Sequence, residues 1–367
     1  MVISYKVRSE RPDPSLTVFE ETLSFRDGFR RVNIPSSVGE GKLVALHFAD
    51  DFHINFQFYR LDVPLEVIKE HSPEPNDLVY FVFYQLQLPE TAWFRGEEVI
   101  YDQEGVNIYT QSIDAILRFP AGTQRNVVCL RISRRRLQEM LGGHDQDYLN
   151  ELLRPSNSFF INERLSTEMR SVIGELQVPP AARGLEQLFY HTRILQLIYL
   201  LMEQLNKRVF LPNRISDPVL IARVFNARTL LVQDLSSPPT IASLARDVLL
   251  SESQLKHSFR EMFGVSIYQY FQRMRLEKAR QLLAEKGRTV KEVAYELGFT
   301  NTGHFSRLFE RAFHIKPKKF QLDRPAPSFP PDPTLFSSSW AIYPRIEQVS
   351  LQTDPGYLRS AARKEKL

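Results

Sequence analysis

The sequence predicts an α+β chain with a β-rich front half, a helical middle and an all-α end made of two helix-turn-helix units. Three observations carry this. Runs between Lys42 and Arg136 are rich in β-branched and aromatic residues and are broken by turn signals. Apolar spacing becomes helical after Ser133. The segment VAYELGFTNTGHFSRLFERAFHIKPKKF (Val293–Phe320) repeats a pattern found about fifty residues earlier.

The bulk numbers set the frame. A chain of 367 residues with 43% apolar and 25% charged residues is an ordinary globular composition for two or three domains. The single cysteine, Cys129, allows no intramolecular disulfide and offers no metal constellation, as in a reducing cytosol. Met1–Glu10 lacks the apolar run of a signal peptide. The most apolar stretch, Leu188–Met202, is interrupted by His191, Arg193 and Gln196 and is too short to span a bilayer. The expectation is a soluble, cytoplasmic protein with no membrane partner. Charge is uneven. Ser251–Lys319 holds 14 lysines and arginines against 7 acidic residues, a net of +7, which leaves −3 for the rest of a chain whose total is +4. A cationic end on a mildly acidic body points to a polyanionic partner for that end.

Taken in order, KLVALHF, HINFQFYRL, DLVYFVFYQLQL and NVVCLRI predict strands, with turns at SPEPND, YDQEGV and FPAGTQ. This density suggests an antiparallel sandwich or barrel over residues 1–136. Residues 137–210 read as a helical connector. RRRLQEMLGG predicts a short helix stopped by Gly142 and Gly143, and NERLSTEMRSVIGELQ puts Leu165, Met169, Val172 and Leu176 on one helical face. GLEQLFYHTRILQLIYLLMEQLNKR carries a stripe wider than one partner helix needs, which suits either a core or a subunit interface. After LPNRISDP, with Asp217 as N-cap and Pro218 at the first helical position, residues 217–321 read as almost wholly helical. Residues 322–367 read as a proline-rich tail.

The repeat carries the functional signal. IASLARDVLLSESQLKHSFREMFG aligns with VKEVAYELGFTNTGHFSRLFERAFH: Ile241 with Val290, Leu244 with Val293, Ala245 with Ala294, Val248 with Leu297 and Ser251 with Thr300. With one residue inserted, Leu255 meets Phe305 and Phe259 meets Phe309. Ala245 and Ala294 permit a close helix crossing, Gly298 permits a tight turn, and Ser251 and either Thr300 or Asn301 can cap the second helices. If the anchors face inward, Ser253, Lys256 and His257, and Thr302, His304 and Arg307, face outward, where such side chains can bond base edges in a major groove. The connecting SIYQYFQRMRLEKARQLLAEKG reads as a helix of about 30 Å, close to the ~34 Å between successive major grooves on one DNA face. Along it, Arg273, Arg275, Lys278 and Arg280 are candidates for phosphate contact, with Arg280 also placed to pair with Glu277. Phosphate contacts are further assigned to Ser251, Arg260, Asn301 and Arg311.

These residues resemble the AraC/XylS family of bacterial transcription regulators. The likeness covers about Asp217–Gln321, and ELGFTNTGHFSRLFERAFHIKPKKF fits the family's Gly-Phe, core aromatic and late Pro signature. The resemblance implies a DNA-binding domain of two helix-turn-helix units joined by a long helix, behind a cupin-like sensor domain and dimerising helices. It implies double-stranded promoter DNA, a second copy of the chain, a small-molecule effector and RNA polymerase as partners. The sequence departs from the family pattern at His314 and Leu249, where glycine is usual, at Glu310, at Gly303, and in its long tail.

No nucleophile elbow, phosphate loop or dinucleotide fingerprint is present in the sequence. His47 and His53 lack the spacing of a cupin metal set, and Asp50 and Asp51 suit a turn better than acid–base work. Phe56, Phe58, Tyr80, Phe81, Phe83 and Tyr84 fill a core or line an apolar ligand pocket. The expectation is therefore a regulator, neither enzyme nor cofactor protein. The alternatives are a metal-dependent cupin-type enzyme fused to a DNA-binding module, and a protein-interaction adaptor.

Overall fold

In a computed structural model of the chain, the structure describes residues 3–8, 25–26, 29–70, 77–86, 91–94, 97–100, 104–110, 115–142, 149, 152–154, 159–178, 184–208, 217–285 and 287–322. The proline-rich segment after Leu322 lies outside them, as does Gly143.

The strands are β1 (Ile3–Arg8), β2 (Phe25–Arg26), β3 (Phe29–Asn33), β4 (Gly39–Ala49), β5 (Phe52–Leu61), β6 (Leu65–Glu70), β7 (Leu78–Leu86), β8 (Thr91–Phe94), β9 (Glu97–Ile100), β10 (Glu104–Tyr109), β11 (Ala115–Phe119), β12 (Gln124–Ser133) and β13 (Phe160–Glu163). They form an eight-stranded sheet, β13-β10-β7-β12-β5-β4-β3-β2, and a five-stranded sheet, β1-β6-β11-β8-β9. The four segments expected as strands fall on β4, β5, β7 and β12.

Side-chain alternation sorts the large sheet's two faces. Leu43, Ala45, Tyr59 and Leu61 meet Leu65, Val67 and Phe119 of the small sheet, making the inter-sheet core. Arg125 spans that gap with its guanidinium 3.7 Å from the Phe119 ring centre. Phe56, Phe58, Phe81 and Phe83 point the other way, into a core shared with the helices that follow. Tyr80 stays half-buried and stacks on Tyr109, with ring centres 5.1 Å apart.

Those helices are α1 (Arg134–Leu141), α2 (Thr167–Gln177) and α3 (Glu186–Asn206). Ser133 caps α1, and Gly142 ends it with a left-handed φ of 74°. Leu165, Met169, Val172 and Leu176 are buried, but α2 begins only at Thr167. The preceding residues, expected as helix from Asn162, instead supply β13, which pairs with β10 from Tyr109↔Phe160 to Val106↔Glu163. Residues 137–210, expected as a helical connector, thus complete a sheet edge and share the sheet's own core. The α3 stripe divides. Tyr190, Ile194, Leu197, Ile198, Leu201, Met202 and Leu205 are buried, while Leu185, Leu188, Leu195 and Tyr199 lie exposed.

The remaining helices are α4 (Pro218–Gln233), α5 (Ile241–Asp247), α6 (Glu252–Phe263), α7 (Ile267–Ala284), α8 (Val290–Glu296), α9 (Thr302–Phe313) and α10 (Pro317–Leu322). Asp217 caps α4, with Pro218 at its start. Helices α4 to α6 and the first half of α7 share a core with Tyr84, Ala92, Phe94, Val99 and Phe160 of the sheets. The second half of α7 joins α8 and α9 in a separate core. No described helix is long and apolar enough to cross a membrane.

Candidate nucleic-acid interface

Two units, α5–α6 and α8–α9, carry the same local construction. Thr240 and Ser251 cap the helices of unit one, and Thr289 and Asn301 those of unit two; of the two cap candidates in unit two, Asn301 is the one that caps α9. Each first helix ends in a Schellman turn. In unit one the Leu250 amide donates to the Ala245 carbonyl at 2.9 Å and Leu249 to Arg246 at 3.1 Å. In unit two Phe299 donates to Ala294 and Gly298 to Tyr295, both at 2.9 Å. The left-handed residue is Leu249 (φ 56°) in one and Gly298 (φ 74°) in the other. A β-carbon on Gly298 would lie 1.9 Å from the Ser236 carbonyl oxygen, so backbone packing as well as dihedral demands glycine there. Ala245, Ala294, Leu255, Phe259, Phe305 and Phe309 are all buried, as anchors at a close crossing require.

The repeat extends further than the sequence comparison carried it. Phe263-Gly264-Val265-Ser266-Ile267 runs parallel to Phe313-His314-Ile315-Lys316-Pro317. Phe259 meets Phe263 with ring centres 4.6 Å apart, and Phe309 meets Phe313 at the same distance. Phe259–Tyr270 at 5.4 Å corresponds to Phe309–Phe320 at 5.8 Å. Each unit is therefore three helices, with the α7 start closing unit one and α10 closing unit two. Tyr268, Lys316 and Lys318 join the exposed surface of these closing turns. Pro317 and the divergence between SIYQ and KPKK hid this from sequence.

Of the residues expected on the reading faces, Ser253, Lys256 and His257 on α6 and His304 and Arg307 on α9 are exposed, with Thr302 half-buried. Ser253, Lys256, His257 and Arg260 line an open cleft with Ile241, Ser266, Ile267 and Tyr268. The electrostatics of the two faces differ. Lys256 pairs with Glu252 at 3.1 Å, and His257 Nε2 lies 2.8 Å from the Glu261 carboxylate. Arg307 and Arg311 have no ion pair among the described residues. Ser251 accepts the Gln254 amide and Asn301 the His304 amide, so both expected phosphate contacts already serve as caps.

The strut residues sort three ways. Arg275, expected on phosphate, is buried, and its guanidinium bonds the Leu297 carbonyl and covers Phe299. It braces the protein interior and cannot reach a duplex, because α7 turns that face toward unit two. Arg280 is half-buried, pairs with Glu277 at 3.0 Å and lies over Phe313. Glu277 also takes Arg164 at 2.9 Å, joining α7 to the front half. Arg273 presents an exposed surface, yet crowding by protein atoms and then the Arg164 charge hold its guanidinium below the usual range. Its exposure keeps it a candidate, on the flank nearest Glu163 and Arg164. Lys278 is exposed. With 18 residues, α7 spans about 27 Å.

In the front half, His53 Nδ1 lies 3.0 Å from His47 Nδ1, and His53 Nε2 lies 2.7 Å from the Asp50 carbonyl oxygen. Among the described residues no group of three or more His, Cys, Asp or Glu could hold a metal ion. Asp51 accepts from Ser133 and Arg136 at 2.6 and 2.5 Å, anchoring the start of α1 to the β4–β5 turn.

Comparisons with known proteins divide along the same lines. Residues 244–322 match the family described as a helix-turn-helix domain, and residues 79–211 match the N-terminal domain of the regulatory protein PchR. The HTH-type transcriptional activator RhaS of Escherichia coli is 35% identical over 82 residues, 22% of this chain and 30% of that protein. The arabinose operon regulatory protein of Salmonella typhimurium is 31% identical over 125 residues, 34% of this chain and 44% of that protein. The chain therefore spans less than half the length of these curated relatives. A solved transcriptional regulator from Chromobacterium violaceum, described as AraC-type DNA-binding domain-containing, is 27% identical, with 29% of this chain and 94% of that one covered at a TM-score of 0.28.

Proposed function

We propose, from the premise that this chain belongs to the AraC/XylS family, that it is a transcription regulator that binds promoter DNA by placing α6 and α9 in successive major grooves. One observation carries this: two units of matching construction bury their apolar anchors and leave polar, partly basic faces on helices held by one strut. Ser253, Lys256, His257, Thr302, His304 and Arg307 would read base edges. Ser251, Arg260, Arg273, Asn301 and Arg311, with Lys316 and Lys318 added by the geometry, would hold phosphates. The strut is about 7 Å shorter than a groove repeat, a gap that modest bending of the duplex closes.

The front half, read as a cupin-like sensor over residues 1–136 with the helices of 137–210, would take a small-molecule effector. The exposed residues of α3 and its start support a homodimer: Leu185, Leu188, Leu195 and Tyr199 lie at intervals of three, seven and four, along one side of the helix, as in the seam of a paired helix. RNA polymerase would be met at the promoter in the cytoplasm. No step of this function requires catalysis by the chain.

A gel shift with genomic fragments from upstream of the chain's own gene tests the proposal. A discrete, salt-sensitive complex at one fragment is the expected result. Equal binding to all fragments, or none, would leave the helical repeat as a protein-interaction adaptor.

A further inference from the structure

A helix leaves its last carbonyls without intrahelical donors. At the end of α6 the Gly264 amide serves Arg260 at 2.8 Å. The carbonyls of Glu261 and Met262 are served from outside the unit, by Nη1 and Nη2 of Arg208 at 2.9 and 3.3 Å. Arg208 lies two residues past the end of α3, in the front half of the chain. The same guanidinium donates through Nε to Glu163 of β13 at 2.6 Å. Gln204, on the last turn of α3, holds the other oxygen of that carboxylate at 2.5 Å. The Arg208 and Glu163 side chains are only 6% and 11% exposed, so little solvent screens the pair.

The contact has left a mark on the sequence. A β-carbon on Gly264 would lie 2.9 Å from Arg208 Nε, and the residue has a φ of 74°. Unit two has His314 at the matching turn, also left-handed at 56°. The dihedral strains any side chain, a strain His314 bears in unit two, and at Gly264 the guanidinium adds a second obstacle. On the last turn of α6, Glu261 is buried and its carboxylate pairs with His257 on the reading face. Glu163, Arg208, Glu261 and His257 form one contiguous chain of contacts. The apolar cores agree: Phe225 of α4 meets Phe160 of β13 edge-on at 5.8 Å and Phe263 of α6 at 5.8 Å, whereas unit two packs in its own cluster.

We propose that Arg208 is a positioning residue that makes the first reading helix an extension of the front half. The aim of His257 and Lys256 then follows the β13 edge and the end of α3, while unit two follows the strut and the α4–α5 link at Leu235 and Ser236. Effector binding or dimerisation that moves either element would retune unit one directly, while unit two would feel it only through the strut and the α4–α5 link. The consequence for DNA rests on the proposed function; the latch itself does not.

The test uses the full chain with R208M and with R208M/E163Q, the second keeping the latch broken without stranding a buried carboxylate. Hydrogen exchange without DNA is expected to speed up about tenfold at amides 258–264 in both variants, with amides 308–314 unchanged. On a fragment selected from random-sequence DNA by the unaltered chain, hydroxyl-radical protection is expected to weaken about tenfold over one half of the site and persist over the other. Unchanged exchange at 258–264, or equal losses in both units and both half-sites, would overturn the proposal. A parent chain that selects no sequence would refute DNA binding, and the exchange comparison would still decide the latch.

Discussion

Arg275 donates through Nε to the carbonyl oxygen of Leu297 at 2.8 Å, and its guanidinium lies 3.8 Å from the Phe299 ring centre. The bond satisfies an orphan carbonyl at the end of α8 and fastens the strut to the turn of unit two. Burial holds this guanidinium below its usual range without taking its charge. Arg275→Met should cost about 2–3 kcal/mol of stability by urea denaturation, since it leaves that carbonyl unmatched. The slope of log affinity against log salt should stay unchanged, because no phosphate contact is lost. A slope reduced by about one unit at full stability would return Arg275 to the DNA.

Arg307 differs from its counterpart His257 because no carboxylate competes for it among the described residues, and Arg311, equally without an ion pair there, stands where unit one has Glu261. Arg307→Ala should weaken specific binding by about 1–3 kcal/mol and relax preference at one base position. Arg311→Ala should instead weaken all sequences alike and lower the salt slope by about one. Quantitative footprints across a set of operator variants separate the two, and interchanged phenotypes would reverse the assignment.

Leu249 and Gly298 occupy the same turn position, at φ 56° and 74°. Leu249 is 72% exposed, so it endures a left-handed backbone with little burial in return. Leu249→Gly should stabilise the chain by about 0.5–1 kcal/mol, the steric relief less the added freedom of the unfolded glycine. Gly298→Ala should destabilise by more than about 2 kcal/mol, because the added carbon meets the Ser236 carbonyl. Thermal melts of both variants check the pair, and equal effects would mean the two turns are not equivalent.

Asp51 supplies a pH dependence in the front half. Burial pushes its carboxyl up, but the Ser133 hydroxyl and Arg136 guanidinium outweigh this and hold it below the usual carboxylate range. A depressed carboxyl stabilises the fold above its unfolded pKa, and the contribution disappears as pH falls through the lower folded value. Asp51→Asn should thus lose about 1 kcal/mol at neutral pH, the group being partly exposed, and differ little from the parent near pH 2–3. A melting difference constant from pH 7 to pH 3 would contradict the assignment.

The exposed stripe of α3 predicts a change of assembly without a change of fold. Leu188→Glu with Tyr199→Glu should convert a dimer to a monomer in sedimentation while the melting temperature of the protomer stays within a few degrees, since both residues are exposed. An unaltered sedimentation coefficient would move the dimer interface elsewhere.

Periodicity and turn chemistry in the sequence determined a good deal: four principal strands, the helices after Ser133, the twin units with their alanine crossings and aromatic anchors, and the strut between them. These are local properties, encoded in residues three, four or fifty apart. The tertiary structure alone decided which face of each element meets what. Helical spacing shows that Arg275 sits on α7, but only the packing of unit two shows that its side of α7 is an interior. Asn162 and Glu163 read as a helix start because their strand partners lie more than fifty residues away on β10. Arg208 read only as the last residue of a helical run, and its meaning depends on a carboxylate 45 residues before it and on carbonyls more than fifty residues after it. Burial and charge pairing depend on distances between segments that the chain's local pattern does not encode, so the sequence could propose two exposed helices as readers of DNA but not the buried side chains packed behind them.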